Sequence, residues 1–355
     1  MKENIIVVGG YGHVGATICK ELGEVFPGKV YAAGRKRDRA EAFCRETDGK
    51  VLPLQMDISK PVEASLLGRA RLVVMCLDQT DTAFAKECLR SGTNYMDVSA
   101  NGSFLSDLEQ WGRRGEVSGT GVFSIGLAPG LTNLLASEAQ RLLVETVQID
   151  ISIMLGLGDR HGRAAIEWTV DNLCSDFEVT QEYRRVKVAS FTDGKLIDFG
   201  TELGRKKAYR FPFSDQQTLA RTLGVPTVST RMGFDQDWMT RVFAGMRTLG
   251  IRRLLNRPRI RQATIEAFER WKLGDDRFAI KVEARGNVDN TEAKVECLLS
   301  GRDQSKMTAM VAAEVAKSLY TTEFLPGVFH IEQLFRLEQM RNWLEKQASL
   351  TIVVR

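Results

Sequence analysis

The chain is poor in the residues that build metal and disulfide sites. Its three histidines, His13, His161 and His330, lie far apart and match no metal-ligand spacing, so no catalytic metal is expected. Its six cysteines are Cys19, Cys44, Cys76, Cys88, Cys174 and Cys297, and none form a Cys-x-x-Cys pair. That excludes a zinc ribbon or a dithiol redox motif, and the first four read as reduced core positions. No apolar run approaches the length of a membrane span, so no membrane partner is expected. Met1-Lys-Glu-Asn4 leads straight into a short apolar run with no targeting pattern, and the expected compartment is the reducing cytoplasm. The net charge of +4 is too small to imply nucleic acid. The basic group Arg252, Arg253, Arg257, Arg259 and Arg261 has no interleaved aromatics, which argues against base stacking. It reads as a solvated helical face, with a phosphate or acidic-substrate site as the alternative.

Against these absences stands Asn4-Ile-Ile-Val-Val-Gly-Gly-Tyr-Gly-His-Val-Gly15. Ile5 to Val8 has the length of a buried parallel strand. It runs into Gly10-x-Gly12-x-x-Gly15 and then a helical pattern from His13 to about Leu22. Gly10 permits the tight turn, Gly12 lets a pyrophosphate approach the backbone, and Gly15 lets helix and strand pack closely. The helix-start amides then face the phosphates. Tyr11, His13 and Val14 lie within this loop and are expected cofactor contacts.

A further absence selects the cofactor. The second strand, Lys29 to Ala33, ends in Gly34-Arg35-Lys36-Arg37, with no acid to accept from a ribose 2′-hydroxyl. A carboxylate would repel a 2′-phosphate, whereas a guanidinium grips one through two N–H groups. Cations at a helix start oppose the macrodipole, so a bound anion accounts for them better than a solvated helix start does. The expected cofactor is NADP(H), held in part by Arg35 and Lys36.

Strand and helix alternate through the first 125 residues, with further strands at Lys50–Gln55, Arg71–Cys76, Thr93–Met96 and Val122–Ile125. The expected fold is α/β: a doubly wound parallel Rossmann sheet with a second α+β domain of mixed sheet. The expected domains are a dinucleotide-binding domain (1–130), a substrate and oligomerisation domain (131–303), and C-terminal helices (304–355) returning to the first domain. Ligands bind beyond the carboxyl ends of such strands. That rule selects Asp57 and Ile58, Cys76, Leu77 and Asp78, Asp97 and Ser99, and Ala128, Pro129 and Gly130. Asp57 reads equally as an adenine-side contact or a helix-start acid, and Cys76 as a small buried residue rather than a nucleophile. Farther on, Phe278–Arg285 and Glu292–Leu299 alternate as a hairpin, a candidate for extending a sheet across a homodimer. His330 to Gln347 reads as a helix.

At Gly126-Leu-Ala-Pro-Gly-Leu-Thr-Asn133 the chain resembles the saccharopine dehydrogenase family. Gly9 to Gly15, Ala33-Gly34-Arg35 and Tyr95-Met-Asp97-Val-Ser99 carry the same resemblance, which spans about the first 140 residues. It implies a nicotinamide-binding domain, an inserted α+β domain, and chemistry at a carbon–nitrogen bond through an imine. Related branches reduce other double bonds. Saccharopine-forming members commonly carry an acid before the Pro-Gly of that turn; here Ala128 stands there, which argues against saccharopine as substrate.

Reduction of an imine needs a hydride and a proton. Asp97, at the end of the fifth strand, is the first candidate to stabilise an iminium or move that proton. Its alternative is a helix cap, which the six-residue gap to Ser103 disfavours. His161, between glycines, is the second candidate, against a packing role beside Trp168. Arg160 and Arg163 are candidates for a substrate carboxylate or plain surface charges; Trp168 for a pocket wall or core. Asn133 is a further substrate candidate, and His330 reads as structural, with closure of the cleft as the alternative. The expected partner is a small-molecule substrate.

Overall fold

The computed structural model describes residues 2–99, 101–159, 162–248, 257–270, 274–289 and 291–355. The chain forms two compact units, Met1–Leu131 with Ser305–Leu334, and Thr132–Gln304 with Phe335–Arg355.

In the first unit, β1 (Asn4–Val8), β2 (Val30–Gly34), β3 (Val51–Gln55), β4 (Ala70–Met75), β5 (Asn94–Asp97) and β6 (Thr120–Phe123) are all parallel. A seventh strand, β15 (Gly327–His330), joins parallel to β6, giving the order β15-β6-β5-β4-β1-β2-β3. Ile5, Val7 and Val74 are fully buried because helices cover both faces. These are α1 (His13–Val25), α2 (Arg37–Arg45), α3 (Ala64–Arg69), α4 (Ala83–Arg90) and α5 (Gly102–Gly112), with the later α11 (Gln304–Thr321). The order in which strands are added across the sheet reverses between β1 and β4, which opens a crevice at their carboxyl ends.

The second unit centres on a mixed sheet in the order β10-β11-β12-β7-β13-β14-β16. Its strands are β7 (Glu145–Leu155), β10 (Lys195–Asp198), β11 (Arg205–Arg210), β12 (Thr227–Phe234), β13 (Arg277–Val288), β14 (Thr291–Arg302) and β16 (Ala348–Val354). Only β7 and β12 run parallel. A separate hairpin pairs β8 (Asp176–Gln181) with β9 (Arg184–Ala189). Ile149, Ile151, Val282 and Cys297 are fully buried on the face against which α6 (Thr132–Arg141) packs. Also in this unit are α7 (Arg163–Asn172), α8 (Asp215–Thr222), α9 (Asp237–Thr248) and α10 (Pro258–Arg270).

Three expectations need correction. The segment 304–355 does not return whole to the first unit: residues 335–355 join the second, where β16 pairs antiparallel with β14. That pairing, with β13 against β7, leaves neither strand of the Phe278/Glu292 hairpin as a sheet edge. The helix expected over 330–347 is broken into α12 (Ile331–Leu334) and α13 (Leu337–Leu344). Gln333 Oε1 accepts the His330 N–H at 2.8 Å, and Gln339 Oε1 accepts the Arg336 N–H at 2.8 Å. Each glutamine reaches back three residues and starts a new helix.

Candidate functional site

The turn after β1 is built from glycines with different duties. A β-carbon on Gly10 would lie 2.7 Å from Val7 O and 2.8 Å from Ala32 Cα. One on Gly15 would lie 2.3 Å from Gly9 O. Both bare positions are needed for α1 to sit against the strands. Gly12 is looser, with Gly9 O at 3.0 Å the one neighbour of such an atom. It precedes the helix without any side-chain cap, and no acid occupies the first turn. Ala16 donates its N–H to Gly12 O at 2.8 Å, so the amides of His13, Val14 and Gly15 precede the helical ladder. This end suits an anion.

At the end of β2, Tyr11 lies across Gly34, where a β-carbon would be 2.3 Å from the phenol oxygen. The Lys36 N–H donates to that oxygen at 3.1 Å. Arg35, Lys36 and Arg37 are exposed. Arg37 pairs with Glu41 at 2.8 Å, and Asp38 supplies negative charge in the first turn of α2. Asp57 does not cap α3: its Oδ1 accepts from the Ser59 N–H at 3.1 Å and hydroxyl at 2.7 Å. Those bonds, with smaller help from Lys60 and Arg35, hold its carboxyl below the usual range. Ile58 packs against the core of the unit.

At the crevice, the Cys76 N–H donates to Val8 O at 3.0 Å, and Leu77 rests on Gly9. Burial pushes the Cys76 thiol up, and the charge of Asp97 adds to this, so the thiol is a poor nucleophile. Asp78 is exposed.

Asp97 differs from expectation. Its side chain is fully enclosed, and its carboxylate already takes three donors. Oδ2 accepts from Tyr95 Oη at 2.9 Å and Gln79 Nε2 at 3.1 Å, while Oδ1 accepts from the Ser99 N–H at 2.7 Å. Gln79 Nε2 also donates to Tyr95 Oη at 2.6 Å. Burial raises the Asp97 carboxyl to about 6 against these stabilising bonds. With no open face for a substrate, Asp97 organises the ends of β4 and β5. Asn101 is the cap of α5, accepting from the Phe104 N–H at 3.3 Å. Gln79 and Tyr95 were not foreseen, although the alternation Tyr95-Met-Asp97 places both polar groups on one face of β5.

The turn after β6 holds Ala128, half-buried, with Pro129 and Gly130 buried and a cis peptide between Ala128 and Pro129. Gly130 sits at φ 138°, a conformation that favours glycine.

In the second unit, Arg163 is exposed and pairs with Glu167 at 2.8 Å, as a surface charge does. Trp168 is half-buried and packs on Phe211 and Phe213 at centroid distances of 5.4 and 5.2 Å, in an aromatic cluster. Asn133 is fully buried at the start of α6. Arg160 and His161 lie outside the described residues, as do Arg252 and Arg253. Arg261 pairs with Asp171 at 2.5 Å. Among the described residues no group of three or more His, Cys, Asp or Glu is placed to hold a metal ion, and no helix is long and apolar enough to cross a membrane.

Residues 5–120 match the family model described as the saccharopine dehydrogenase NADP binding domain. Residues 5–120 form a saccharopine dehydrogenase-like NADP-binding domain. Its cofactor is NADP(H). No curated protein sequence matches the chain. Among solved structures, apo saccharopine dehydrogenase (L-Glu forming) from Saccharomyces cerevisiae is similar over 99% of this chain and 100% of that chain, at 12% identity and a TM-score of 0.64. That likeness shows a shared fold. C. glutamicum DAP dehydrogenase in complex with DAP follows at 11% identity over 96% of this chain and 99% of that one, with a TM-score of 0.46. Amine dehydrogenase from Mycobacterium smegmatis stands at 10% identity, 95% and 97% coverage, and the same TM-score of 0.46. At these scores neither adds to the fold assignment. In the NADP-binding domain the glycine turn, the Arg35 corner and the β1/β4 crevice share the carboxyl edge of one sheet.

Proposed function

We propose that the protein is an NADP(H)-dependent oxidoreductase that moves a hydride to or from the carbon of a small amino acid-derived imine or amine. The observation that carries this reading is the uncapped glycine turn beside an exposed arginine corner, within an NADP-binding domain of saccharopine dehydrogenase type. In this reading the amides of His13, Val14 and Gly15 bind the pyrophosphate, and Gly10, Tyr11 and Gly12 shape the approach. Arg35, with Lys36, takes the 2′-phosphate. Asp57 and Ile58 border the adenine; Cys76, Leu77, Asp78 and Ser99 border the ribose and nicotinamide; Ala128, Pro129 and Gly130 complete that end. His161 supplies the proton and Arg160 receives a substrate carboxylate. Ala128, in place of the acid of saccharopine-forming members, favours a substrate other than saccharopine.

A second reading is a cofactor-binding sensor, favoured by the enclosure of Asp97. NADPH fluorescence decides between them. Mixtures of keto acids with amines should draw NADPH oxidation, and His161→Ala should lose turnover while keeping NADPH binding. Oxidation with enones or aldehydes alone would move the reaction to another double bond. Tight NADPH binding with no oxidation in any panel would favour the sensor.

A further inference from the structure

Ser124 follows β6 at φ 57°, the left-handed region in which serine is strained, and it is wholly buried. Its Oγ lies 2.8 Å from His330 Nδ1, and His330 Nε2 lies 2.5 Å from Glu109 Oε1. The His330 side chain is 1% exposed and that of Glu109 13%. A carboxylate only accepts, so the ring donates its Nε2–H to Glu109, and Nδ1 is left to bond the Ser124 hydroxyl. The order serine, histidine, carboxylate matches that of an acyl-transfer relay, but no acyl group can reach an enclosed Ser124. Its effect is mechanical: it ties the ends of β6 and β15 to α5.

What Ser124 anchors is the turn that follows. Leu131 donates its N–H to Gly126 O at 2.8 Å, and Leu127 donates to Thr308 Oγ1 on α11 at 3.2 Å. A β-carbon on Gly130 would lie 3.3 Å from Ser124 O, so the turn folds back onto the residue that the histidine holds. β6 lies on the β4-β5-β6 side of the crevice, opposite the β2 end that carries Arg35. In sheets of this order the two halves of a dinucleotide lie on opposite sides of the switch point.

We propose that His330 is a positioning residue: backed by Glu109, it fixes Ser124 and so holds Gly126–Gly130 in the shape that receives the nicotinamide half of NADP(H). This rests on the reading that the turn borders the cofactor. The test compares two ligands by calorimetry on the full chain, NADPH and 2′,5′-ADP, the latter carrying the 2′-phosphate but no nicotinamide. His330→Ala and Ser124→Ala should weaken NADPH by about ten-fold while 2′,5′-ADP stays within about two-fold of the unaltered protein. His330→Asn, whose side-chain oxygen can accept from Ser124, should recover part of the loss. Glu109→Ala, nearer the surface, removes the acceptor for the Nε2–H, should show the same split and serves if His330→Ala does not fold. Equal weakening of both ligands, or no weakening of NADPH in any of the variants, would overturn the inference. Failure of the unaltered protein to bind either ligand would overturn the cofactor reading, and the inference with it.

Discussion

Asp97 carries a cost that titration exposes. Enclosure raises its carboxyl to about 6, so the folded chain holds a proton that the unfolded chain releases near its ordinary value. Its contribution to stability is therefore greatest at pH values below the ordinary carboxylate range and declines as pH climbs through about 6. The decline amounts to about 3 kcal/mol. Asp97→Asn removes the titration, and denaturant unfolding from pH 4 to 7.5 should show the gap between variant and parent shifting in the variant's favour as pH rises. Parallel profiles would mean that the carboxyl ionises freely. Arg35 is tested by ligand choice: Arg35→Ala should weaken NADPH by roughly ten-fold or more and leave NADH nearly unchanged, because the loss is a charge-assisted contact to one phosphate. An equal effect on both coenzymes, measured by calorimetry, would separate Arg35 from the 2′-phosphate.

At the scale of elements, the β1 turn separates packing from binding. Gly15→Ala forces a β-carbon into Gly9 O and should disrupt the seat of α1, seen as a large loss of thermal stability. Gly12→Ala meets one carbonyl at 3.0 Å and should fold, with weaker NADPH binding as its main effect. The reverse ranking in thermal melts would contradict these assignments. In the second unit, β12 carries Arg231 with a side chain only 2% exposed, paired with Asp150 on β7 at 3.2 Å and with Asp193 at 2.5 Å. Arg231→Met leaves Asp150 buried with weaker compensation and should cost about 3–5 kcal/mol in denaturant unfolding. Adding Asp150→Asn should return part of that loss, whereas simple additivity would mean that the pair does not couple. These elements differ in how far sequence reveals them. Ile5–Val8 and Leu72–Met75 are legible because strands covered on both faces read as unbroken apolar runs. Gly327–His330 is not, because a short strand at the sheet edge merges with the apolar spacing of the helices that follow.

Across the whole molecule, the glycine turn after β1 was legible because its demands are local: three glycines between one apolar strand and one helix. The polar networks were not, because they arise only when distant strands become neighbours. Ser124 meets a histidine 206 positions away, and that histidine meets Glu109 across 221. The same holds for Asp150 with Arg231, separated by 81 positions. Asp97 was found by its place at a strand end, but its enclosure depends on Gln79 from another strand loop.

The account turns on a hydride leaving the nicotinamide for a carbon bound to nitrogen. The most direct measurement uses NADPH deuterated at the transferring C4 position, incubated with the full chain and mixtures of keto acids and amines, with products read by mass spectrometry. The account predicts one deuterium on the carbon that bears nitrogen in the product. Bound but unconsumed coenzyme, or deuterium appearing only on an alcohol carbon or at a former carbon–carbon double bond, would contradict it.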